Sequence, residues 1–91
     1  MTRLEHPLEE LFRGSRKTLR ILRALALAEA PLTKYGIESR AAVYDAGSAL
    51  KRLERLGIVR SLDGKPKRYV LNRSNPLARA LLDFLQEAGY L

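Results

Sequence analysis

Gly57 divides this chain into two kinds of apolar pattern, and that division limits what it can fold into. Upstream, apolar residues return every three to four positions, the spacing of helices that bury one face. Downstream, residues 58–62 and 67–72 are short and rich in Ile, Val and Tyr, and they bracket Asp63-Gly64-Lys65-Pro66. An Asp-Gly pair between two such runs predicts a β-hairpin. Helical spacing resumes after Asn75-Pro76, a cap followed by a residue suited to a first helical turn. The last helix is predicted to reach about Ala88, with Gly89 ending it.

The upstream helices are read from their stops and caps. Leu4, Leu8, Leu11 and Phe12 mark a helix over 7–13, with Pro7 in its first turn and Gly14 as its stop. Ser15 caps a second helix over 16–30 that ends at Pro31; the two are either separate or one kinked helix. Leu19, Leu22, Leu25 and Ala26 form its buried face, and Arg16, Arg20 and Arg23 its wet face. Thr33 opens a short helix over 34–40, and Ala41-Ala42 make a compact connection. A longer helix is predicted over 43–56, where Val43, Ala46, Leu50 and Leu53 face the core and Gly57 ends the element.

Ninety-one residues suffice for one domain. With no cysteine and only His6, disulfides, zinc-thiolate sites and metal-dependent hydrolysis are not expected. No apolar run reaches the roughly 18 residues of a membrane span, and residues 1–10 lack the order of a secretory signal, so a cytosolic home is expected. The net charge of +7 is unevenly spread: residues 46–74 carry eight basic groups against Glu54 and Asp63, while residues 75–91 carry Arg79 against Asp83 and Glu87. Such a basic segment favours anionic partners, although a solvated basic face has the same composition.

The order is helix, short helix, longer helix, hairpin, helix. The segment LTKYGIESRAAVYDAGSALKRLERLGIVRS, with the basic hairpin and Arg68-Tyr69-Val70-Leu71 after it, resembles the winged helix-turn-helix regulators of bacteria and archaea, in particular MarR-like and ArsR-like families. The resemblance covers about 16–73. It implies a mainly α fold with a small β-hairpin wing: a winged helix-turn-helix core flanked by an N-terminal helix (1–14) and a C-terminal dimerisation helix (75–91). It also implies a transcriptional regulator of double-stranded DNA working in the nucleoid.

On a wheel of about 100° per residue, Tyr44, Ser48, Lys51 and Arg55 share an arc of about 60° opposite the core positions, with Asp45 and Arg52 flanking it. A major groove admits such a helix face. Tyr44, Asp45 and Ser48 are assigned to base edges, Arg55 to phosphate, and Lys51 and Arg52 to either. Asp45 could accept from a cytosine amino group or be merely a charge at the helix start. By the resemblance, Lys65, Lys67 and Arg68 on the wing would meet phosphates or a narrow minor groove, unless they only guard an edge strand against aggregation. Thr33 and Lys34, and likewise Arg16 and Lys17, begin helices whose free N–H groups suit phosphate.

The stripe of Leu77, Leu81, Phe84, Leu85 and Ala88, widened by Leu82, either closes the chain's own core or joins two copies. A homodimer is expected, with Leu8, Leu11 and Phe12 assisting. In regulators of this kind it would present two recognition helices about one DNA turn apart. No cofactor, metal or membrane partner is expected, and the flanks are too short to enclose a sizeable ligand pocket in one chain. Catalysis finds no support: Glu9-Glu10 has no companion groups, and the six glycines punctuate rather than cradle phosphate. The competing readings are a winged-helix interaction module or basal transcription subunit, and a basic protein that binds nucleic acid without sequence preference.

Overall fold

The structure is a computed structural model that describes residues 5–91; the apolar position assigned to Leu4 lies outside them. Pro7 occupies the first turn of α1 (Pro7–Leu11), and the His6 Nδ1 accepts the Leu8 N–H at 3.0 Å as its cap. The helix ends two residues earlier than expected. Phe12 leaves the helical region at φ −108°, ψ 54°, and a single 3₁₀ turn (Arg13–Ser15) leads directly into α2 (Arg16–Leu27). These are therefore two helices with a break rather than one continuous rod.

α2 stops at Leu27, short of Ala30, because Ala28 turns extended at ψ 142°. Pro31 disfavours the α conformation in the residue before it, and the chain must extend to place a strand absent from the sequence reading, β1 (Leu32–Thr33). Thr33 then caps α3 (Lys34–Ala41), its Oγ1 accepting the Gly36 N–H at 3.0 Å. α4 spans Gly47–Arg55, β2 Val59–Leu62, β3 Arg68–Leu71 and α5 Pro76–Glu87. The Asn75 Oδ1 accepts from Leu77 N and Ala78 N, the cap predicted from Asn75-Pro76.

The hairpin gains a third strand. β3 lies in the centre, antiparallel to both neighbours, with Leu32 opposite Tyr69, Thr33 opposite Arg68, and Leu62 also opposite Arg68. β1 thus pairs with the end of β3 nearest the hairpin tip and holds the start of α3 there. The inner face of the sheet (Val59, Tyr69, Leu71) closes over Ile21 and Leu22 of α2, Ile37 of α3, Leu50 and Leu53 of α4, and Leu82 and Leu85 of α5. Each such side chain contributes about 1.5–3 kcal/mol through removal from water. The result is a mainly helical domain with a small antiparallel sheet; among the described residues no helix is long and apolar enough to cross a membrane.

The α5 stripe divides. Leu85 is 0 % exposed and packs in the chain's own core beside Ala78 and Leu82. Its assignment to a dimer surface is corrected accordingly: it lies on the inward arc of α5, not the outward one. Leu77 and Phe84 remain about half exposed, while Leu81 and Ala88 are partly covered.

Candidate nucleic-acid interface

The helix expected over 43–56 begins only at Gly47. Ala42 ends α3 in the left-handed conformation at φ 56°, and Asp45 takes φ 50°, so the chain cannot be helical through this stretch. Tyr44 and Asp45 therefore stand in the turn between α3 and α4, not on a recognition helix as assigned. Val43 and Ala46 still face the core, which is why their spacing imitates a longer helix. Tyr44 projects outward and is 90 % exposed.

Two side chains hold this turn. The Glu38 Oε2 accepts the Ala46 N–H at 2.8 Å at the start of α4 and pairs with Lys34 Nζ at 3.1 Å. The Ala46 hydrogen bond first, then Lys34, hold the Glu38 carboxyl below its ordinary value. From the other side, Lys17 Nζ donates to the Asp45 carbonyl at 3.3 Å. Glu38 was not singled out in the sequence; its role depends on a partner eight residues ahead across a turn, where no helical or strand spacing points.

Beyond the turn, Ser48, Lys51, Arg52 and Arg55 form the exposed face of α4, as the wheel predicted for those four. They diverge in surroundings: Arg52 Nη2 leans onto Thr18 Oγ1 of α2 at 3.4 Å. At the hairpin, Lys65, Lys67 and Arg68 are exposed, and Lys67 Nζ lies 5.8 Å from the centre of the Tyr69 ring. A cleft of about 450 Å³ separates the hairpin tip (Pro66, Lys67) from the start of α3 (Lys34, Tyr35). The Cε of Lys34 lies 3.4 Å from where a Cβ on Gly47 would stand. Lys34 therefore lines the cleft beside the hairpin tip and also lies against the start of α4. Tyr35, 80 % exposed at the cleft, is a further candidate that no pattern in the sequence marked.

The helix-start cations are not equivalent. Arg16 is paired with Glu5 at 2.7 Å and Lys34 with Glu38, so each brings less net charge to a phosphate than the sequence suggested. Thr33 spends its hydroxyl on the α3 cap. Among the described residues no group of three or more acidic, His or Cys side chains is placed to hold a metal ion. Compared with known proteins, the chain matches no family model, no curated protein and no solved structure.

Proposed function

We propose that this chain is a DNA-binding transcriptional regulator of the winged helix-turn-helix type, acting in the cytoplasm on the nucleoid. The observation that carries this reading is the place of Lys34, which lines one cleft with Pro66 and Lys67 of the cationic hairpin tip and lies against Gly47 at the start of α4. α4 is a helix about 10–12 Å across, which matches the width of a major groove. Ser48, in its first turn, would reach base edges. Lys51 and Arg55 would follow along the same face toward phosphates, and Tyr44 would approach from the turn. The hairpin is the wing, with Lys65, Lys67 and Arg68 on the neighbouring backbone or in the minor groove. Lys17 and Glu38 act indirectly, by fixing the turn that aims α4.

Selection from a random-sequence duplex pool, followed by fluorescence anisotropy at two salt concentrations, tests the reading. The expected result is an enriched motif bound about 1000-fold or more tightly than random DNA. Ser48→Ala should change the motif without abolishing binding. Salt-dependent binding with no enriched motif would replace the regulator with a sequence-independent nucleic-acid binder. Absence of binding even at low salt would remove DNA from the account.

A further inference from the structure

The cleft between the hairpin tip and the start of α3 offers aromatic rings as well as charge. Lys34, Tyr35, Glu38, Pro66, Lys67 and Tyr69 line its volume of about 450 Å³. Tyr35 stands in the first turn of α3 and is exposed, so its ring is open to a ligand. Tyr69 is the opposite case: it is 9 % exposed, and Lys67 Nζ stands 5.8 Å from the centre of its ring. Its hydroxyl enters no hydrogen bond among the described residues. A phenol so enclosed ordinarily finds a partner within its own chain; this one is left free beside the cleft.

The charge of the lining narrows the ligand. Lys34 is paired with Glu38 at 3.1 Å, whereas Lys67 enters no ion pair among the described residues. Two lysines against Glu38 leave one net positive charge. That matches the single negative charge of a phosphodiester better than a terminal phosphate, which carries about −1.5 to −2 at neutral pH. Glu38 also lines a second cleft, of about 320 Å³, together with the exposed Tyr44. A strand leaving the first cleft past Glu38 thus meets a second ring.

We propose that this cleft binds an unpaired nucleotide of single-stranded DNA, with its base stacked on Tyr35 and its phosphodiester held by Lys67. An aromatic ring beside cations holds single strands without reading their sequence, since every base has a π-face. Pro66 supplies an apolar wall, and the Tyr69 hydroxyl a polar contact for the sugar or the base edge. A base within a duplex reaches such a cleft only by leaving its stack. The cleft therefore engages DNA where its strands are separated. The inference shares with the regulator reading only a nucleic-acid partner. It uses no duplex, so loss of an enriched duplex motif leaves it standing, and its own failure leaves the regulator standing.

Fluorescence anisotropy at low salt tests it with two strands of about eight nucleotides, one of thymidines and one of abasic residues with the same phosphates. The full chain should bind the thymidine strand about 10-fold or more tightly than the abasic one. Tyr35→Ala should remove that preference with far-UV circular dichroism unchanged, and Lys67→Ala should weaken both strands. Tyr35→Trp should keep the preference. The chain has no other tryptophan, so the thymidine strand should quench this indole and the abasic strand should not. Equal binding of the two strands, binding of neither, or a preference that survives Tyr35→Ala overturns the proposal. So does thymidine monophosphate competing as tightly as the strand, which would make the ligand a free nucleotide.

Discussion

Glu9 is an acid that the protein encloses almost completely, at 2 % exposure, and its charge survives because three basic or phenolic groups attend it. Arg20 donates from Nε and Nη2 at 3.1 and 3.0 Å, the Tyr90 hydroxyl donates from the far end of the chain, and Arg23 lies 4.5 Å over the Tyr90 ring. Burial pushes the Glu9 carboxyl up. The hydrogen bonds from Arg20 and Tyr90, with the charges of Arg20 and Arg23, outweigh it and hold the group below 4.5. Burial and then the Glu9 carboxylate push the Tyr90 phenol well above 10.0. The Glu9 contribution to stability is therefore present above pH 4.5 and is lost as pH falls through the lowered value. The Tyr90 contribution is present below pH 10.0 and is lost as pH rises through the raised one. Thermal melts across this range should show a plateau between the two limits. Glu9→Gln should cost about 2–3 kcal/mol at neutral pH and flatten the acid decline; an acid decline as steep as in wild type would refute the assignment. None of this was legible in the sequence. Arg20 and Arg23 read as a wet face, and Glu9 as an acid without companions, because its partners stand 11 and 81 positions away.

At the level of elements, the connections carry the strain and the specificity. Ala42 adopts φ 56°, a conformation costing an L-residue roughly 1–2 kcal/mol. Ala42→Gly should stabilise the protein by about 0.5–1 kcal/mol, read as a rise in Tm, since glycine accepts this conformation freely; a fall in Tm would show that the Ala42 methyl has a role of its own. Gly57 is the opposite case. It takes φ +78°, and a Cβ there would stand 2.6 Å from Asn75 Nδ2. Asn75 caps α5, so Gly57→Ala should cost about 1–3 kcal/mol and loosen the α5 start, visible as faster amide exchange at Leu77 and Ala78. The stop at Gly57, the Asn75-Pro76 start and the hairpin were all readable, because each is written in local residue chemistry. The true start of α4 was not: Val43 and Ala46 sit on the core side of a turn at helical spacing. β1, two residues long, is too short for any period to announce it.

Over the whole molecule, charge is sorted by element: cations gather at the hairpin and along α4, while α5 carries Arg79 against Asp83 and Glu87. The concentration of charge was visible in the sequence, but most of its internal neutralisation was not: Lys34 and Glu38 stand at helical i,i+4 spacing, whereas Arg16 and Arg20 find carboxylates eleven positions away only in the folded chain. On the proposed DNA-binding reading, Lys67→Ala with Arg68→Ala should lower the salt slope of binding by about 2, while Arg16→Ala leaves it nearly unchanged. Equal effects would contradict the sorting. The apolar stripe of α5 was likewise legible as a stripe and not as a divided one, because periodicity reports a face and not what covers it. The link between Glu9 and Tyr90 also has a kinetic meaning. It closes a loop of 81 positions, the kind of contact whose entropy must be overcome late, after the local helices and the hairpin have formed. Such a bond is expected to be absent at the folding barrier and to form only in the native state. Tyr90→Phe should then accelerate unfolding and leave the folding rate almost untouched. On that account the clasp between the two ends of the fold governs how long the molecule stays folded, not how quickly it gets there.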